Sequence, residues 1–502
     1  MLRVLSSPRT LCDGLTRRDL LEVGGASLFG LSLGNLLSLQ SAQASPSRRA
    51  AAEGFGKAKR CIILFLYGSP SQLETFDMKP EAPVEIRGTM KPIPSVVPGL
   101  SVCEHMPHIA KMADRVTVVR SMTHAFPIHG VAYATTGIPA INVSMELSPF
   151  DPAHHPYFGS VVEYLDRRKN RHNNKPGSVQ NVGLPFPFSS KRSDQPLRAG
   201  PYGAFLGSAY NPVWTEYVGH GTKTIRKART GFEWTGKDPY LGCTADSHFR
   251  VSATTPQPEM TIDRLNRRRS LLEQFDSTRR DLESSQTGKS LSSFQNLAFS
   301  LISSPKVAKA LDVRSESRET RELYGMTLFG QASLAARRLL EADTKLVSVF
   351  WDEYGLAGDA WDTHFSHYPR MKEQLLPQWD RAYSGLILDL ERRGMLEDTL
   401  VVCISEHGRT PKLANVKGAG RNHWSRAYSA VFAGGGMAKG KVIGASDKYA
   451  SDVADRPVNP KDILATMYHA LGIDPRTKIP DRTGREIGLV PDDNDIVPEM
   501  FG

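Results

Sequence analysis

The chain has 502 residues, 40% of them hydrophobic and 23% charged, which excludes an intrinsically disordered or collagen-like protein and leaves enough apolar residues for one large core. A formal net charge of +10 favours anionic partners such as sulfated or phosphorylated polymers. Five cysteines in so long a chain exclude a disulfide scaffold, and Cys61 and Cys403, set in apolar strand-like runs, are expected to be buried free thiols.

In chain order, Thr16-Arg17-Arg18-Asp19-Leu20 precedes an apolar, glycine-bearing run from Val23 to Leu39 and then Ala42-Gln43-Ala44. This is the pattern of a twin-arginine export signal covering residues 1–44, cut after Ala44; its apolar run is short for a spanning helix. It predicts passage through the twin-arginine translocase to the periplasm or the outside, and a mature charge of about +9. Export argues against nucleic acid as the anionic partner, and no other segment is long and apolar enough to span a membrane.

Residues 45–60 form a small, polar, basic lead-in. Cys61–Tyr67 is the first predicted buried strand, ended by Gly68-Ser69-Pro70. A helix over Glu104–Met112 is followed by a strand, Val116–Arg120, then by Ser121-Met122-Thr123-His124 and a helical stretch ending at Thr136-Gly137. From Asp151 to about Gln257 the chain is rich in Pro, Gly, Ser and aromatic residues without periodicity, which predicts long loops on the side of the site. Asp263–Leu311 is predicted to be a charged helical segment, with Arg267-Arg268-Arg269 on a solvated face. A helix over Gln331–Ala342 leads to a strand, Leu346–Trp351, and the amphipathic helix Met371–Arg393 leads to Thr399–Ile404. Helices alternating with apolar strands predict an α/β fold with a mainly parallel sheet covered on both faces.

At the end of the last of these strands stands Ser405-Glu406-His407-Gly408-Arg409-Thr410-Pro411. A carboxylate and an imidazole leave a buried strand together at the carboxyl edge of the sheet, where open α/β folds place their sites, and divalent metals take such mixed ligands. Asp362-Thr363-His364 supplies further ligand types, or caps the helix that follows. His423 stands beside Trp424, as a ligand or as a packed histidine.

Gly68 to Asp77, Arg120-Ser121-Met122-Thr123-His124, Trp361 to His364, Glu406 to Pro411 and Asn422-His423-Trp424 together resemble an exported bacterial family known as domain of unknown function 1501. That family is similar to a branch of the alkaline phosphatase and sulfatase superfamily, and Asn459 to Thr466 is similar to the closing helix of sulfatases. The resemblance implies an alkaline phosphatase-like three-layer sandwich over residues 61–475, with 151–257 as a loop-rich insertion and 476–502 as a C-terminal extension. It further implies one or two divalent ions above the sheet, zinc or manganese rather than calcium. Asp362, His364 and His423 match one ligand set, with His367 able to replace His364. Glu406 and His407, with Glu74 or Asp77, match the other.

The sulfatase sequence C-x-P-S-R occurs nowhere in the chain, so a formylglycine sulfatase is not expected. Thr123 carries a hydroxyl near the proposed edge, although a divalent ion that activates water needs no side-chain nucleophile. His124 and His129 are placed to hold substrate or move a proton. Arg409 either clamps a phosphate or sulfate in a forked geometry or steadies Glu406. These readings converge on an exported metal-dependent hydrolase of phosphate or sulfate esters, small molecules or anionic polysaccharides. The alternative is a non-catalytic protein that binds an anionic glycan or the envelope on the same fold.

Overall fold

In the stretch Arg60–Leu66, every side chain after Arg60 is buried, and a strand sends alternate side chains to opposite faces. Ile62, Leu64 and Leu66 enter one apolar cluster, while Cys61, Ile63 and Phe65 enter a second. A strand apolar on both faces belongs at the centre of a covered sheet. The computed structural model, which describes residues 54–126, 129, 131–138, 143–169, 179–229, 231–251 and 305–502, places it there.

Among the described residues, eight strands form the sheet: β1 (Arg60–Leu66), β2 (Val116–Met122), β3 (Asn181–Leu184), β4 (Val213–Trp214), β5 (Leu346–Trp351), β6 (Thr399–Ile404), β7 (Tyr428–Ala433) and β8 (Lys441–Ile443). They lie in the order β8-β2-β7-β6-β1-β5-β3-β4. Only β7 runs against the rest, antiparallel to both β6 and β2. Of the covering helices, α1 (Pro107–Met112), α4 (Leu328–Glu341) and α5 (Leu376–Arg392) pack on the first cluster. The others, α2 (Val131–Thr136), α3 (Phe158–Lys169) and α6 (Pro460–Ala470), pack on the second. This is the expected three-layer sandwich.

Local signals set the helix ends. Thr327 caps α4 by accepting the Gly330 N–H at 3.2 Å, and Asn459 with Asp462 forms a capping box before α6, with Pro460 in its first turn. The predicted helix Met371–Arg393 is interrupted: residues Met371–Leu375 make a π-turn ahead of α5. Pro377 accounts for it, since proline supplies no N–H to the preceding turn and crowds the carbonyl four residues back.

Two expectations change. In place of loops alone, residues 151–257 contribute α3 and two sheet strands, β3 and β4, which are too short to show a period. Residues 476–502 are no extension beyond the domain. Ile479, Leu489, Val490, Val497, Met500 and Phe501 are buried in the cluster under α2, α3 and α6, and the Ala438 N–H donates to the Met500 carbonyl at 2.8 Å. Cys61, Cys103, Cys243 and Cys403 are free and buried; Cys61 and Cys403 belong to opposite faces of the sheet, so they cannot meet. No described helix is long and apolar enough to cross a membrane. The predicted export signal and all but Pro305–Leu311 of the charged helical segment lie outside the described residues.

Candidate metal centre

The carboxyl end of β1 turns sharply. Gly68 and Ser69 both have positive φ, +89° and +71°, and for serine that region is strained. The tightness has a cause: a Cβ on Gly68 would fall on the Asp362 backbone nitrogen, so only glycine lets the β1 loop touch the Asp362 loop. From this corner Gly68 N–H donates to Glu406 Oε1 at 2.8 Å. Ser69 Oγ accepts the His407 N–H at 3.1 Å, and the Ser69 carbonyl accepts Arg409 Nε–H at 3.2 Å.

The segment after β6 carries Ser405–His407. Gly408–Arg409 then pairs antiparallel with His423–Trp424, Arg409 opposite His423, before the chain returns as β7. The Asp362 loop is stitched to the same excursion, with Arg421 N–H on the Thr363 carbonyl and His367 N–H on the Ala419 carbonyl, both 3.1 Å.

These loops bring six side chains together. Asp362 Oδ1 lies 3.0 Å from His364 Nε2 and 3.3 Å from His423 Nε2, and those two nitrogens are 3.1 Å apart. His129 spans the centre, Nδ1 at 3.2 Å from Glu406 Oε1 and Nε2 at 3.4 Å from Asp362 Oδ2. Two ligand groups result, Asp362/His364/His423 and His129/His407/His423, each with its ligand atoms within 4.8 Å of one another. His423 is common to both. Side-chain exposure grades from 0% at Glu406 through 21% at His423 to 35% at His364, so the cluster is open at the His364 end.

Charge and hydrogen bonding suit this set to a cation. His407 Nδ1–H donates to the Gly408 carbonyl at 2.8 Å, which leaves a lone pair on Nε2. Burial, then the neighbouring His423, Arg409 and His129, holds His407 neutral by driving its pKa well down. Its Nε2 and Glu406 Oε2 are buried without a hydrogen-bond partner among the described residues, an arrangement that a divalent ion satisfies and that is otherwise costly. Asp362 is ionised: burial alone would raise its pKa, but Arg409 and then His129 hold it well below the usual carboxylate range. Burial lowers His129 too, yet Asp362 and Glu406 outweigh it and carry its pKa up to about 9. His129 thus stands between two carboxylate partners.

Several expected residues sit elsewhere. The Arg409 guanidinium is fully buried and donates to the carbonyls of Gly68, Ser69 and Arg421 and, at 2.6 Å, to Asp362 Oδ1; it orients Asp362 and is no open clamp. Arg421 is committed to Glu74 and to the carbonyls of Ile86, Thr410 and Pro411. Glu74 therefore does not join Glu406 and His407. It pairs with Arg421 and His367, which against its burial bring its pKa down to about 2. Asp77 is taken by Lys79 at 2.9 Å and by the Ser446 hydroxyl. At the end of β2 the Thr123 N–H is bonded to the Val458 carbonyl at 2.9 Å. Next to it His124 acts as a buttress: Nε2–H donates to the Glu406 carbonyl at 2.8 Å, and burial lowers its pKa to about 4.

A polar layer beside the cluster is one that sequence reasoning missed. Asp352 and Glu353 leave β5 as Glu406 and His407 leave β6, a parallel that strand-end position alone could have flagged. Asp352 accepts the Ser189 and Glu353 N–H groups at 2.6 and 2.7 Å, and Arg192 Nη1 donates to Glu353 at 2.8 Å. Tyr67, which reads as one more core aromatic at the end of a strand, packs its ring 5.2 Å from that of His129. Arg198 stands over the Tyr67 ring, its Cζ 5.6 Å from the centroid, and pairs with Glu146 at 2.8 Å. Nothing in the aperiodic loop that carries Arg192 and Arg198 marks them out.

A cavity of about 530 Å³ lies apart from this chemistry, lined among others by Thr136, His154, His155, Phe205 and Arg482 and by none of the cluster residues. Among solved structures, the chain is similar to a sulfatase from Pseudoalteromonas sp. at 11% identity over 86% of this chain and 72% of that one, with a TM-score of 0.34. It is also similar to a phosphonate monoester hydrolase from Silicibacter pomeroyi at 10% identity over 88% and 76%, with a TM-score of 0.35. Likenesses this distant carry no argument about what the chain does. No curated protein matches it. The model of the family described as protein of unknown function (DUF1501) matches residues 58–501, and the chain belongs to that family.

Proposed function

We propose that the protein is an exported, metal-dependent hydrolase of phosphate or sulfate esters, including those of anionic glycans, with its centre in the cluster at the carboxyl edge of the sheet. One observation carries the reading: two groups of ligand side chains share His423, and His407 Nε2 and Glu406 Oε2 are buried there without partners among the described residues. Asp362, His364 and His423 would hold one divalent ion, and His407 with Glu406 a second. Such ions supply Lewis acidity and lower the pKa of water.

The chain's own groups do the rest. Arg409 fixes the Asp362 carboxylate, and His124 fixes the Glu406 backbone. His129, held between two carboxylate partners, is the group placed to take up or release a proton at Nδ1 or Nε2. Among the described residues, three hydroxyls at the cluster are engaged: Ser69 Oγ accepts the His407 N–H, Ser405 Oγ donates to the His407 carbonyl, and Thr363 Oγ1 bonds His367 Nδ1. Direct attack by water fits this better than a covalent serine or threonine intermediate.

The test is elemental mass spectrometry on protein purified without chelators. About two equivalents of a transition metal are expected, reduced in both His407→Ala and His423→Ala, together with turnover of chromogenic phosphate or sulfate esters that is lost in the same variants. Metal-free protein, or full occupancy in both variants, sinks the reading.

A further inference from the structure

An ester hydrolase needs a cation for the anionic group of its substrate, and the two arginines nearest the cluster in sequence are unavailable for it. Arg409 and Arg421 are fully buried, and all three nitrogens of each guanidinium are bonded to carbonyls or carboxylates. Arg192 shares with Arg198 a buried Nε that has no partner among the described residues, but its side chain is 0% exposed against Glu353.

Arg198 differs. Its side chain is 11% exposed, Nη1 and Nη2 hold Glu146 and Gln195 at 2.8 and 3.1 Å, and Nε has no hydrogen-bond partner among the described residues although it is buried. The hydroxyl of Tyr67, whose ring lies beneath it, is likewise buried without a partner among the described residues. The wall they form adjoins the cluster: the Tyr67 ring packs against His129, and the charge of Glu406 reaches both Tyr67 and Glu146. Two donors without acceptors, one of them on a guanidinium stacked over an aromatic ring, describe a half-built oxyanion site.

We infer that Arg198 and Tyr67 together receive the anionic group of the substrate, Arg198 through its unpartnered Nε–H and Tyr67 through its hydroxyl. The inference rests on the proposed hydrolase reading but is tested apart from it. A planar guanidinium suits a tetrahedral oxyanion that offers two oxygens at once, so phosphate and sulfate are the ligand class.

The experiment is isothermal titration of inorganic phosphate and of sulfate into the full-length mature protein, with metal content followed in parallel. Arg198→Gln is expected to weaken the tighter of the two anions about ten- to a hundredfold, the effect of losing a charge-assisted hydrogen bond. Arg198→Lys should fall between, and Tyr67→Phe should weaken it about threefold to tenfold, all with unchanged metal content. Wild-type affinity in Arg198→Gln overturns the inference, as does failure of the wild-type protein to bind either anion. If Arg198→Gln does not fold, Tyr67→Phe, which removes one oxygen from the same wall, decides. Anion binding that depends on Arg198 in a protein without metal would remove the hydrolase reading alone, whereas metal-loaded protein whose anion binding ignores Arg198 would remove this one alone.

Discussion

Gly68 is the residue on which the contact between two site loops depends. It takes φ +89°, and the space a side chain would need is held by the Asp362 backbone. Gly68→Ala is expected to lower the unfolding free energy by about 2–5 kcal/mol, from backbone strain plus overpacking, and to reduce metal content because Asp362 is pushed from its partners. Gly99→Ala is the control: φ is +81° with open space around it, so only strain of about 1–2 kcal/mol should appear in urea titrations. Residue identities made part of the centre legible. Glu406 and His407 follow an apolar strand with one residue between, and Asp362, His364 and His423 carry ligand chemistry on their face. What could not be read is how carboxylates and guanidiniums sort themselves when loops meet. Glu74, close to the end of β1, is drawn to Arg421, 347 residues away, and that pairing exists only in three dimensions.

At the scale of elements, the legible strands are the ones buried on both faces, since continuous apolar runs as in β1, β5 and β6 suit the centre of a covered sheet and little else. Four-residue β3 and two-residue β4 carry too little pattern. The reversed direction of β7 is set by the excursion from Ser405 to Ala427, which ends at the edge where it began. Helix α3 offers a pH test. Its Glu163 forms an ion pair with Arg167 at 2.6 Å, which should lower its pKa, but burial against the sheet outweighs the pair and pushes it up to about 7 from an ordinary 4.5. Between those values the folded chain binds a proton that the unfolded chain has released. The contribution of this residue to stability is therefore greatest below about pH 4.5 and declines as pH rises to about 7. Glu163→Gln should flatten that segment of a urea-midpoint profile; an unchanged slope would assign it to other groups.

For the molecule as a whole, the segment after residue 475 is a structural strap and no appendage. Its six buried apolar side chains are each worth about 1.5–3 kcal/mol of burial, a sum comparable with the net stability of about 5–15 kcal/mol usual for a domain. A chain ending at residue 475 is expected to lose cooperative thermal unfolding and to accumulate in the insoluble fraction. Soluble truncated protein with an unaltered melting temperature would contradict this. One more consequence follows from the hydrogen bond between Gly68 and Glu406, whose ends are 338 residues apart. During synthesis the first corner of the centre is made early and must wait for most of the chain before any partner arrives, and His423 comes later still. A metal held as proposed would meet its full ligand set only once His423 has joined the other five side chains, so the whole set belongs to the finished chain.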